Sequence, residues 1–222
     1  MDRPRRAAEA GQRLPLRERK KQHTREALTD TALRLFSERG FHGVTLDELC
    51  DAVDTSKRTF FRYFTSKEDV AMTPLHDLWR SFLKDLEVRE PSGGPLLQFL
   101  QEALLAALEA MHPDHWAPRV ALNRQLAEQT PSIEAHGLRF CRDTTRSALD
   151  ILHQRLGLAT DNDPRPRLAL DMLVASFHCA LDTWTAQPSA PARDTLAAHL
   201  RTACSALPES LTLPTPPWPP RS

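Results

Sequence analysis

The sequence predicts an all-α chain, and three observations predict it. Leu and Ala occupy 60 of the 222 positions, whereas Val and Ile occupy 8; helices favour the first pair and pleated strands the β-branched second. Apolar residues recur at three- and four-residue spacing along most of the chain. Prolines and a Gly-Gly pair then cut that pattern into lengths suited to helices. At this length the chain holds one domain, or a small one and a larger one, and 41% hydrophobic residues can build a sizeable core.

About nine helices are predicted. The first spans about 24–38, with Leu28, Thr31, Ala32, Leu35 and Phe36 on one side and Gly40 as its stop. The second, 46–52, has a marked start: Thr45 caps, Glu48 completes a capping box, and Val44 staples onto Leu49. The third covers about 56–64. A fourth follows residues 65–66, where Thr65 and Glu68 offer a second box; Pro74 predicts a kink or interruption within it. After a linker at 91–94 come helices over about 96–111, 115–129, 132–156, 166–185 and 193–206. The implied organisation is a disordered basic tail (1–16), a small head (17–65), a larger body (66–207) and a Pro-rich flexible tail (208–222).

Several function classes are excluded at this stage. No stretch has the roughly 18–20 apolar residues needed to cross a bilayer, and the charged N-terminus lacks the apolar run of a secretory signal. Cys50, Cys141, Cys179 and Cys204 stand singly, as expected of buried reduced thiols in the cytoplasm. Seven glycines form no phosphate loop, and no nucleophile–base pair or metal set is evident, so neither an enzyme nor a cofactor is expected. His112 and His115 are spaced to chelate but lack a third ligand, and no metal site is assigned. The formal charge is 0 overall, yet 17–21 concentrates Arg17, Arg19, Lys20 and Lys21 against Glu18. Local charge, not the sum, governs an encounter with phosphate.

The second and third helices, joined by Val53, Asp54 and Thr55, have the spacing of a helix-turn-helix. Leu46, Leu49, Val53, Phe60 and Phe64 can lock it onto the first helix, leaving Lys57, Arg58, Phe61 and Arg62 off the buried face. Basic groups meet phosphates, and Arg62 can also reach guanine N7 and O6. Phe61 is the odd member. It either packs on the next helix or contacts a base, a thymine methyl or a sugar. The basic run at 17–21, with Lys20 and Lys21, is a solvated tail or an arm ordered by DNA.

The runs ALRLFSERGFHGVTL (32–46) and VDTSKRTFFRYFTSKE (53–68), preceded by Thr24 and Arg25, resemble the start of a TetR-family transcriptional regulator in order and register. The resemblance implies a homodimer whose subunits each carry a three-helix DNA-binding head and a helical ligand-binding body. It implies backbone contacts from Thr45 and from Ser56 or Lys57, groove contacts from Arg58, Phe61, Arg62 and Tyr63, and a phosphate contact from Lys67. Family members often have tyrosine where this chain has Phe61; without the hydroxyl, stacking or methyl contact is left. The resemblance further implies a palindromic operator, a repressor released by ligand, and a fourth helix that relays ligand binding to the heads.

For the body, Trp79, Phe82, Phe99, Met111, Trp116, Arg142, Phe177 and His178 could line a ligand pocket. The stretch 119–184 resembles bodies of this family that respond to acyl-CoA-like or other apolar ligands, implying a small, partly apolar effector. The eighth helix is apolar on more than one stripe and so needs covering on several sides. Leu170, Val174, Phe177 and Leu181 there, with Leu196 and Leu200 of the ninth, are expected at a dimer interface through the last two helices, where the family usually pairs.

Overall fold

A computed structural model of the chain describes residues 16–159, 161–187 and 190–215. The expected tail at 1–15 and the end of the Pro-rich one at 216–222 lie outside those residues. Within them the chain forms nine α-helices and no strand: α1 (Leu16–Arg39), α2 (Leu46–Asp51), α3 (Lys57–Phe60), α4 (Lys67–Val88), α5 (Leu96–Glu109), α6 (Trp116–Gln129), α7 (Pro131–Leu156), α8 (Pro164–Thr185) and α9 (Arg193–Ser210). Packing divides the chain into two units between Ala71 and Met72, inside α4 and past the predicted 65/66 boundary.

In the first unit, Leu28, Leu33 and Phe36 of α1, Leu49 of α2 and Phe60 of α3 are all at most 1% exposed. Two glycines make the α1–α2 corner possible. Gly40 sits at φ +75°, a region other residues enter only at a cost, and a Cβ on Gly43 would lie 2.3 Å from the Arg39 carbonyl oxygen.

The second unit is a bundle around Phe82, Leu100, Leu104, Leu173, Phe177 and Leu200. α8 packs mainly on α9 and α5, and α6 on α7. Long polar side chains close the helix ends, where the last carbonyls lack intrahelical partners. Arg155 Nη1 donates to the carbonyls of Leu86 (2.6 Å) in the last turn of α4 and Arg89 (3.0 Å) just beyond it. Arg193 Nη1 donates to those of Glu109 and Met111 at the end of α5. Trp116 Nε1 donates to the Pro74 carbonyl at 2.8 Å.

Several expectations change. α1 begins at Leu16, so the basic run 17–21 is helix, not a disordered arm. α3 is four residues long and hands over to a turn at 61–63, where Arg62 and Tyr63 donate to carbonyls three residues back. Of the kink or interruption expected at Pro74 the interruption does not occur, since α4 runs through it as one helix, and at its start Asp69, not Glu68, accepts from Thr65 N and Oγ1. α9 extends through Pro208 to Ser210, so the Pro-rich tail does not start at 208. The cysteines are free thiols as expected, but only Cys50 and Cys204 are buried; Cys179 is exposed.

Candidate nucleic-acid interface and body cavity

The interface is built on the α2–α3 corner. Thr45 accepts from Glu48 N (3.2 Å), while Glu48 Oε2 accepts from Thr45 N and Oγ1 (both 2.8 Å), completing the capping box that starts α2. Arg39 Nη2 reaches Glu48 Oε1 at 2.5 Å. The Thr45 amide, then the Arg39 guanidinium, hold the Glu48 carboxyl well below its ordinary value, at about 2. Asp54 makes the turn at φ +50°, a left-handed conformation that Asp tolerates better than most residues. Ser56 Oγ then caps α3 by accepting from Thr59 N at 3.1 Å.

Register decides which side chains face outward. Phe60 is 0% and Phe64 2% exposed, with rings 5.3 Å apart in the head core. Between them Phe61 is 56% exposed, so it does not pack away on the next helix. Arg58 and Arg62 are exposed beside it, and Tyr63 is half-buried. Arg62 is braced: its Nη2 donates to the Tyr63 hydroxyl at 2.9 Å, and its guanidinium lies 4.9 Å from the Tyr63 ring centre. Lys57 pairs with Asp47 at 2.8 Å, and that hydrogen bond raises its pKa. A phosphate contact from Lys57 therefore has to displace a carboxylate.

The remaining expected contacts vary in how they are presented. Lys20 and Lys21 are exposed on the first turns of α1, with Lys21 3.7 Å from Glu18. Thr24 Oγ1 donates to the Lys20 carbonyl, and the half-buried Arg25 guanidinium lies 5.8 Å from the Phe64 ring centre. Lys67 departs most from expectation. Its ammonium is half-buried over the Phe36 and Phe41 rings and donates to the carbonyls of Phe41 (2.7 Å) and Val44 (2.5 Å). Burial pushes its pKa below the ordinary lysine value. Two of its three donors thus fasten the α1–α2 corner to the start of α4, instead of standing ready for phosphate.

In the second unit a cavity of about 320 Å³ lies among α4, α6, α7 and α8. Of the expected lining, Trp79, Phe82, Phe177 and His178 face it. Phe99 and Met111 belong to the packed core, Trp116 is held at Pro74, and Arg142 is exposed with its side chain 70% accessible. Sequence reasoning missed Asn123, Arg124, Cys141, Thr144 and Thr145. The signal for them was available. Buried polar residues interrupt apolar stripes, as Thr144 and Thr145 do ahead of Ala148 and Leu152 on α7. Partial burial, then the charge of Arg124, pushes the His178 pKa below its ordinary value, although the residue is still exposed.

The residues expected at a dimer seam are mostly covered within one chain. Leu170, Phe177, Leu181, Leu196 and Leu200 are at most 2% exposed and only Val174 is half-buried. These side chains are used inside the subunit as core, whereas Leu168 of α8 is 49% exposed. Among the described residues, no helix is long and apolar enough to cross a membrane.

Comparison with known proteins agrees with the two-unit reading. Residues 28–71 match the profile of bacterial regulatory proteins of the tetR family, and residues 94–210 match that of the MftR C-terminal domain. The chain is 36% identical over 174 residues to the HTH-type transcriptional regulator TcmR of Streptomyces glaucescens, covering 76% of each chain. It is 28% identical over 122 residues to the putative mycofactocin biosynthesis transcriptional regulator MftR of Mycobacterium tuberculosis, covering 54% of this chain and 59% of that one. A TetR-family structure from Syntrophomonas wolfei shares the fold, with a TM-score of 0.53 at 15% identity over 87% of this chain and 99% of its own. With a regulator's head, a matching body and a relative similar across three quarters of its length, the chain belongs to the TetR family of bacterial transcriptional regulators and is a regulator rather than an enzyme.

Proposed function

We propose that the chain binds a palindromic operator as a homodimer in the cytoplasm and represses transcription until a small, partly apolar ligand enters the body cavity. The exposed Phe61, flanked by Arg58 and Arg62 on a short helix-to-turn segment anchored by Phe60 and Phe64, carries the DNA part of this reading. A large aromatic in water is favoured when it has a base, methyl group or sugar to meet. Repression is the simpler outcome, because occupying a promoter suffices for it. Ligand can release DNA only by binding the two states of the dimer with different affinity.

For the dimer, the exposed stripes of α8 and α9 supply the surface that the buried leucines do not. Leu168, Ala175 and Cys179 on α8, with Ala198, Thr202 and Ser205 on α9, are exposed at spacings that align each set on one side of its helix. Small residues let partner helices approach closely. Ala198→Arg is expected to yield a folded monomer by mass measurement; an unchanged dimer mass removes that face.

The DNA reading is tested by selecting sites from a random duplex pool with the full-length protein, followed by gel shifts. One inverted repeat is expected to be bound well above bulk competitor. Equal binding to all duplexes rejects an operator-specific regulator.

A further inference from the structure

The lining of the cavity is apolar and aromatic on its walls, with neutral polar groups between them and two charged residues, Arg124 and Glu134. Trp79 meets Phe82 edge-to-face (5.4 Å between ring centres, 86°) and meets Phe177 likewise (5.3 Å, 78°). Rings at right angles leave both faces and edges for a planar guest, and aromatic pairs prefer such arrangements at about 4.5–7 Å. Between these walls stand the hydroxyls of the buried Thr144 and Thr145, the Cys141 thiol and the His178 ring. Burial raises the pKa of the thiol and lowers that of His178, and both shifts favour the uncharged form.

The lining cation is Arg124; its charge is paired with acidic side chains, while its buried Nε makes no hydrogen bond. Its Nη2 donates to Asp182 Oδ1 at 2.5 Å, joining α6 to α8, and its Nε lies 3.5 Å from Glu128. The lining carboxylate, Glu134, is exposed, where water screens it. An anionic ligand would have to displace Asp182 from Arg124 or bury its charge unpaired, and a cationic one would find no buried counter-charge in the lining. Both are costly.

We infer that the cavity is built for an uncharged aromatic ligand bearing hydrogen-bonding oxygens, and that Asp182 sets this selectivity by occupying Arg124. This rests on the reading of the cavity as the effector site. The ligand class is phenolic or quinone-like, and compact: about 320 Å³ stands at the small end of the roughly 300–1,000 Å³ typical of ligand pockets.

The test uses full-length protein and three probes of one shape at about pH 7.5, where a phenol is neutral and a carboxylate ionised. These are 2-naphthol, 2-naphthoate and the saturated decahydro-2-naphthol, titrated by tryptophan fluorescence and thermal shift. Wild type is expected to bind 2-naphthol at least about tenfold tighter than either of the others. Asp182→Asn, which releases Arg124 while keeping the size of the side chain, is expected to raise naphthoate affinity by about tenfold and narrow that ratio. Equal or tighter binding of naphthoate by wild type overturns the uncharged class. Equal binding of the saturated probe overturns the aromatic one, and an unchanged ratio in Asp182→Asn overturns the role of Asp182. Absence of binding by all three overturns the whole inference.

Val174→Trp separates this failure from failure of the effector-site reading. The larger side chain fills the cavity, so it should abolish probe binding while leaving the thermal transition cooperative. If naphthoate is preferred and Val174→Trp abolishes its binding, the cavity remains the ligand site and only the class falls. If probe binding survives in Val174→Trp, the cavity itself is not the site.

Discussion

The head and the body place aromatic side chains in opposite ways. In the head, Phe60 is fully buried and its neighbour Phe61 is 56% exposed, so one residue step separates the core from the functional surface. In the body, Trp79, Phe82 and Phe177 are at most 8% exposed and turned around a hollow. A surface that must fit a rigid duplex presents its aromatic outward on a short braced segment. A site that must enclose a small molecule gathers its aromatics from remote helices. The head can be altered residue by residue, whereas changes in the body pass through shared packing.

The most forceful way to break this comparison is Phe60→Ala. Truncating a buried phenylalanine costs ~3–5 kcal/mol, enough to unfold a small head. DNA binding should be lost while calorimetry retains the body's transition. If both units melt together at the lower temperature, they are not separate in the energetic sense. Lys67→Met comes next. Hydrogen bonds to charged groups are worth about 1.5–3 kcal/mol, and two are lost, partly offset because the ammonium is only half-buried. The head should destabilise with little change in the salt dependence of DNA binding. A slope of log affinity against log salt that falls by about one, with stability unchanged, would return Lys67 to a phosphate.

Arg62→Ala sharpens the outward side of the comparison. Its guanidinium is held by Tyr63 and exposed, so its removal should leave head stability within ~0.5 kcal/mol. If Arg62 reads a base, operator binding should weaken by ~1–3 kcal/mol and preference should relax at one position. Uniform weakening across all duplexes would make it a phosphate contact. Because Tyr63 is half-buried, Tyr63→Phe should reproduce part of the loss by unbracing Arg62.

The same contrast explains what the sequence disclosed. The helix-turn-helix is local: its cap, turn and lock lie within 45–64, and spacing alone places Phe60 and Phe64 inward. Two local features still escaped. The first turns of α1 bury nothing before Leu28, so no apolar period marks them, and the turn after Phe60 keeps helical spacing without being α-helix. In the body, spacing says that Phe99, Met111 and Trp116 are apolar but not which of them borders a void, since that depends on three other helices. Likewise, α8 displays more than one apolar stripe, and only the packing of its neighbours shows that Leu170, Phe177 and Leu181 are consumed within the subunit while Leu168 is not.

Thr45→Ala has the smallest expected effect and isolates the local part of the head. Loss of an N-cap costs ~1 kcal/mol, with the body's transition unmoved. Its partner adds a pH signature. Glu48 is held at about 2 in the folded head, against 4.5 for an unperturbed carboxyl. A carboxyl with a lowered folded pKa stabilises fully above its unfolded value and loses that contribution as protons bind the unfolded chain first. The head should therefore keep the full contribution of the box above about pH 4.5 and lose it progressively towards pH 2, as measured by its melting temperature. Glu48→Gln should flatten that dependence over the same window, because the amide cannot titrate. If the wild-type head and Glu48→Gln lose stability in parallel between pH 4.5 and 2, the capping box is not what ties head stability to pH, and the acid response belongs to other carboxylates.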